Sequence, residues 1–173
     1  MPDVAVTATV PGAAPDDAFA AVADFAAYPR HADTVREVVV TPVADGEVES
    51  SWKVNFRTGV LAWTERDVVD HGARRIGFEQ TDGDFAVFTG AWTVDAHGDG
   101  STVRFTASFD LGMPSLAPMV DPIAERTLVE NIRAILTGLL GPSVTFSLPP
   151  GTPNGPPARV RRGAVRQVSR QVS

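Results

Sequence analysis

The stretch Asp121-Pro122-Ile123-Ala124-Glu125-Arg126-Thr127-Leu128-Val129-Glu130-Asn131-Ile132-Arg133-Ala134-Ile135-Leu136-Thr137-Gly138-Leu139-Leu140-Gly141-Pro142 decides how the rest of the chain must be arranged. Leu128, Ile132, Ile135 and Leu139 recur at helical spacing and form one apolar stripe. Asp121 is placed to cap this helix, Pro122 suits its first position, and Gly141-Pro142 end it. A lone helix of about 19 residues with an apolar stripe must pack against a partner, because isolated helices are marginal in water.

Working back along the chain, the partner is a sheet. From Val35 to Leu111 the apolar pattern switches to a period of two. Val35–Val43, Glu47–Arg57, Val60–Val69, Arg74–Thr81, Phe85–Asp95 and Thr102–Leu111 are predicted strands. Turn signals such as Asp45-Gly46, Thr58-Gly59, Asp82-Gly83 and Gly98-Asp99-Gly100 separate them, which describes an antiparallel meander. Ahead of it, Val4–Val10 alternates as a first strand, and Pro15 opens a helix that Tyr28-Pro29 is expected to end. The predicted fold is therefore α+β of helix-grip type. A curved antiparallel sheet of about seven strands wraps a long C-terminal helix and encloses an apolar cavity.

Length and composition set limits on function. The 173 residues suit a single domain, expected over residues 1–141. A Pro/Gly-rich and then Arg-rich tail is expected over 142–173, and its Arg-x-x-Ser pattern reads first as a solvated basic extension, with modification as the alternative. No cysteine is present, which removes disulfide and thiolate chemistry, and His31, His71 and His97 show no metal-ligand spacing. All 21 acidic residues precede the tail, while five of the 15 basic ones lie within it. So acidic a body argues against nucleic acid as a partner. No apolar run reaches the roughly 20 residues that span a bilayer, and no signal segment opens the chain, so a cytoplasmic protein is expected.

Three stretches resemble a known family: Trp63-Thr64-Glu65-Arg66-Asp67-Val68-Val69-Asp70, Phe85 through Trp92, and Phe109-Asp110-Leu111. They look like the START-related polyketide cyclase and aromatase family, including its coenzyme Q-binding branch, over roughly residues 3–140. The resemblance implies cavity-wall roles for Tyr28, Trp63 and Trp92, and an Asn131 that reaches into the cavity from the helix. Phe88 and Leu128 are expected beside them. In the tetracenomycin-type aromatase/cyclases a serine and an arginine stand where this chain has Glu65 and Asp67. Larger aromatics stand in those enzymes in place of Ala32 and Val35, which implies a wider or differently shaped mouth here.

Strand alternation puts Trp63, Glu65 and Asp67 on one face and Thr64, Arg66 and Val68 on the other, without saying which is inside. If the carboxyls face inward, burial and mutual repulsion raise their pKa values and separate them into an acid and a base. If they pair with Arg57 or Arg104, they form a structural ion network instead. The expected catalytic residues are Glu65, Asp67 and Tyr28, and the expected substrate-binding residues are Trp63, Trp92, Asn131, Phe88 and Leu128. The implied function is enolisation, aldol cyclisation and dehydration of a polyketide-like molecule, with a polyketide synthase or its carrier protein as a partner. Such chemistry requires no metal or organic cofactor. The competing expectation is a non-catalytic carrier of a quinone or lipid, and a third is an interaction protein that acts through its basic tail.

Overall fold

The computed structural model describes residues 1–57 and 59–147. Strand β1 (Asp3–Val10) leads into helix α1 (Pro15–Ala23), a 3-10 turn (Phe25–Ala27) and the single-turn helix α2 (Tyr28–His31). Six strands follow: β2 (Val35–Ala44), β3 (Glu47–Phe56), β4 (Gly59–Asp70), β5 (Arg75–Gly83), β6 (Val87–His97) and β7 (Gly100–Asp110). Helix α3 (Ala117–Leu140) and a two-residue strand β8 (Thr145–Phe146) complete the described chain. The strands form one sheet in the order β2-β3-β4-β5-β6-β7-β1-β8, each neighbour antiparallel. The helix-grip architecture read from the sequence is the fold of this chain.

Alternating residues on the inner face of that sheet bury the core, among them Val4, Val6 and Ala8 on β1, Val103 and Phe105 on β7, and Ile76 and Phe78 on β5. The α3 stripe of Leu128, Ile132 and Ile135 closes over them. Gly138 lets α3 touch α2, since a β-carbon there would lie 1.8 Å from the His31 carbonyl oxygen.

Four boundaries differ from expectation. Helix α1 stops at Ala23, where Asp24 leaves helical angles (φ −85°, ψ 69°), rather than running to Tyr28. Tyr28 itself opens α2 with helical angles (φ −54°, ψ −43°) despite the proline that follows it. Its complete burial and a 2.6 Å hydrogen bond from its hydroxyl to the Val22 carbonyl outweigh the local pre-proline preference. Helix α3 begins at Ala117, so Asp121 is not its cap and Pro122 lies inside it. Finally, the segment expected as tail starts with ordered chain. Val144 is buried, Thr145 and Phe146 pair with Thr9 and Ala8, and the Ser147 N–H donates to the Thr7 carbonyl. The rest of that segment, with its Arg-x-x-Ser pattern, lies outside the described residues.

Candidate functional site

The β3–β4 hairpin builds the site. Its register sets Trp52 opposite Trp63, Ser50 opposite Glu65 and Val48 opposite Asp67. Inward-facing side chains that sit opposite one another meet, and Trp52 and Trp63 stack with ring centroids 5.9 Å apart and planes 4° from parallel. Strand β5 carries a bulge against Thr64 and Glu65 that skips Thr81. Gly83 then passes so near Trp63 that a β-carbon would lie 2.5 Å from its Cα. Phe85 and Phe88 stack on each other 4.4 Å apart and meet Trp63 edge-on at 5.5 and 5.4 Å.

Between this hairpin, β5–β7 and α3 lies an internal cavity of about 50 Å³. All but one of the expected site residues line it: Tyr28, Trp63, Glu65, Phe88, Trp92, Leu128 and Asn131. The exception is Asp67, which is fully buried behind Glu65 on the same face of β4. The inward alternative of the sequence reading is the one the fold adopts. The ion-network alternative is not: among the described residues the ion pairs are Lys53–Glu37, Arg66–Glu47 and Arg74–Asp16. Ala32 and Val35, from which a wider or differently shaped mouth was inferred, are both buried and do not line the cavity.

The carboxyl pair is embedded in a line of hydrogen bonds. The Trp52 indole N–H donates to the Ser50 hydroxyl at 2.8 Å, and that hydroxyl donates to Oδ2 of Asp67 at 2.5 Å. From the other side the Trp63 indole N–H donates to Oε1 of Glu65 at 2.7 Å. Burial raises the Glu65 pKa well above its ordinary 4.5, and a hydrogen bond to Asp67 and that residue's negative charge raise it further; the bonds from Trp63 and Ser50 offset part of this. Burial also raises Asp67, but here the hydrogen bonds from Glu65 and Ser50 oppose the shift. Burial thus favours the protonated form of both acids, and more strongly that of Glu65, which Asp67 pushes further up. Among the described residues, no hydrogen-bond donor reaches the buried Asp67 Oδ1.

Two expected polar groups are already engaged. Tyr28 spends its hydroxyl on the Val22 carbonyl, and burial together with the fields of Glu65 and Asp67 pushes its pKa well up. The Asn131 side-chain N–H donates to the Asn55 carbonyl at 2.9 Å, while its oxygen accepts from the Thr34 hydroxyl at 2.9 Å. Asn131 thereby pins α3 to β3. Sequence reasoning missed Ser50 and Trp52. Alternation alone puts these two on the face shared with Trp63 and Glu65, but the Thr58-Gly59 turn read from the sequence would set Trp52 opposite Glu65 and Ser50 opposite Asp67, two residues out of the observed register. A larger, open groove of about 900 Å³ beside α3, β1, β6 and β7 is bordered by Arg75, Arg104, Arg126 and Arg133 and by Asp3, Glu125 and Glu130, and none of these three acids is buried.

The described residues gather no cluster of three or more potential metal ligands, and none of their helices is long and apolar enough to cross a membrane. The family described as polyketide cyclase / dehydrase and lipid transport matches residues 11–136. No curated protein sequence matches the chain. Among solved structures, a protein of Thermus thermophilus is similar at a TM-score of 0.74 and 22% identity, covering 80% of this chain and 94% of its own. The Zhui aromatase/cyclase from Streptomyces sp. R1128 is similar at 0.67 and 20%, over 78% of this chain and 91% of that one. A START superfamily protein from Mycobacterium smegmatis gives 0.67 and 18%, over 80% and 96%. At these identities the likeness is one of fold.

Proposed function

Since the chain belongs to the polyketide cyclase / dehydrase and lipid transport family, we propose that it is a cofactor-independent cyclase and dehydratase. Its substrate is a neutral polyketide-like molecule, and it works in the cytoplasm. The observation that carries this reading is the pair formed by Glu65 on the cavity wall and Asp67 directly behind it. Asp67 keeps its neighbour basic enough to take a proton back, while burial keeps Glu65 protonated and able to give one.

In the dehydration step Glu65 protonates the departing β-hydroxyl, the Cβ–O bond breaks and water leaves. The α-proton is lost as the C=C bond forms, and it returns to the carboxyl pair. The pair thus begins and ends with one proton. Enolisation before ring closure uses the same exchange, with a carbonyl oxygen in place of the hydroxyl. Trp63, Trp92, Phe88 and Leu128 shape the chain so that reacting carbons meet. A cavity of about 50 Å³ is too small for such a molecule, so loading requires α3 and the β3–β4 hairpin to part. A polyketide synthase, or its carrier protein, is the natural source of the substrate.

The test supplies purified protein to a reconstituted minimal polyketide synthase and compares products by liquid chromatography and mass spectrometry. A new cyclised or dehydrated product that is lost in Glu65→Gln supports the reading. An unchanged profile across several chain lengths contradicts it. That result would favour a carrier for a quinone or lipid, a reading supported by the engaged Tyr28 hydroxyl and Asn131 amide.

A further inference from the structure

The cavity combines two features that also suit a cation. Nine of its lining side chains are aromatic, with Trp52, Trp63, Phe85, Phe88 and Trp92 among them. On its wall and just behind stand two buried acids with no basic side chain in ion-pairing distance among the described residues, Glu65 at 4% exposure and Asp67 at 0%. Asp67 keeps one buried oxygen, Oδ1, that has no hydrogen-bond donor among the described residues. An anion held in a dry interior without a counter-charge is costly, and a ligand that brings the opposite charge removes that cost. Aromatic rings add their own attraction for a cation. A carboxylate ligand meets the reverse conditions: it would face Glu65, with Asp67 buried behind it, and find no arginine or lysine on the lining.

We propose that this cavity also accepts a second chemical class of ligand, a primary ammonium ion on a short apolar chain, seated with its charge against Glu65, in front of the buried Asp67, and its carbons among the aromatic rings. The ammonium group donates a hydrogen bond to the carboxyl pair and balances its charge, and the same pair turns free acids away. This selectivity does not depend on the cyclase reading. The product assay tests that reading, and a binding titration tests this one.

The experiment titrates three probes of matched size, butylammonium, butan-1-ol and butanoate, into the full chain at neutral pH. Binding is read from the indole N–H signals of Trp52, Trp63 and Trp92 in ¹⁵N NMR spectra. The expected result is butylammonium binding at least tenfold tighter than butan-1-ol, with no saturable shift from butanoate. In the double variant Glu65→Gln/Asp67→Asn, the ammonium preference should disappear while butan-1-ol binds as before. That unchanged alcohol binding also shows that the variant is folded. Equal or better binding of butan-1-ol, saturable binding of butanoate, or an ammonium preference that survives in the double variant would each overturn the proposal.

Discussion

The inner face of a single sheet is built in two ways. Along β6, β7 and β1 the inward positions are apolar throughout their middle: Phe88, Trp92 and Val94, then Val103, Phe105 and Ala107, then Val4, Val6 and Ala8. Along β3 and β4 the same alternation yields Ser50, Trp52 and Val54, then Trp63, Glu65 and Asp67. Both walls obey one periodicity and both are dry. The first gains stability from each buried side chain. The second gives part of that up, since an ionised or hydrogen-bonded acid in the core is worth less than an aliphatic group of the same size. Local sacrifice of this kind is expected where chemistry or recognition takes place.

The sharpest way to test the contrast is to damage the apolar wall. Phe105→Ala should lower the unfolding free energy by about 3–5 kcal/mol, as large-to-small core changes do. Urea unfolding measures it, and a loss below about 1 kcal/mol would mean that this wall is not the core described here. The polar wall should respond differently, through charge. Ser50→Ala removes the donor to Asp67 Oδ2 and should cost about 1–3 kcal/mol at neutral pH. That cost should shrink in acid, where Asp67 takes up a proton. A penalty independent of pH would show that Ser50 matters only by packing.

Glu65→Gln should have the opposite sign. The folded-state pKa of Glu65 lies above its ordinary 4.5, so the unfolded chain ionises first as pH rises. Stability is therefore full below about pH 4.5 and declines as pH climbs toward the folded value. The amide keeps the shape, accepts from Trp63 and donates to Asp67, but has no proton to lose. The variant should be more stable than the parent at pH 8, by about 1–2 kcal/mol, and nearly equal to it at pH 4. Thermal unfolding at the two pH values decides. The smallest effect should come from Trp63→Phe, which removes the bond to Glu65 Oε1 at about 0.5–1.5 kcal/mol.

Periodicity carried most of the architecture, because a period of two and an apolar helical stripe are read off the chain directly. Element ends were less legible. Tyr28 was expected to terminate a helix and instead begins one, because its burial and its bond to Val22 are tertiary facts. Pro122 was read as a helix start, yet the helix opens a turn earlier around Pro118. The two strands read as ending at Val10 and Leu111 fall within a residue of the observed ends. In the site, alternation grouped Trp63, Glu65 and Asp67 but left their direction open; only packing against β3 and α3 turned them inward. The inward face of Ser50 and Trp52 was within reach by alternation along one hairpin, but their partners were not, since the Thr58-Gly59 turn gives a register two residues away from the observed one. That Asn131 spends its amide on Asn55 and Thr34 was not, because those partners are distant in sequence.

The central claim is that the polar wall holds one proton between two buried acids, on Glu65 beside an ionised Asp67. Carboxyl ¹³C NMR on protein labelled at Glu and Asp side chains, titrated from acid to alkaline pH, tests it most directly. The account predicts that the Glu65 signal remains that of a protonated acid at neutral pH while Asp67 is already ionised, and that Asp67→Asn brings Glu65 down toward its ordinary range. Two carboxyls that both titrate near 4 and are both ionised at neutral pH would contradict it.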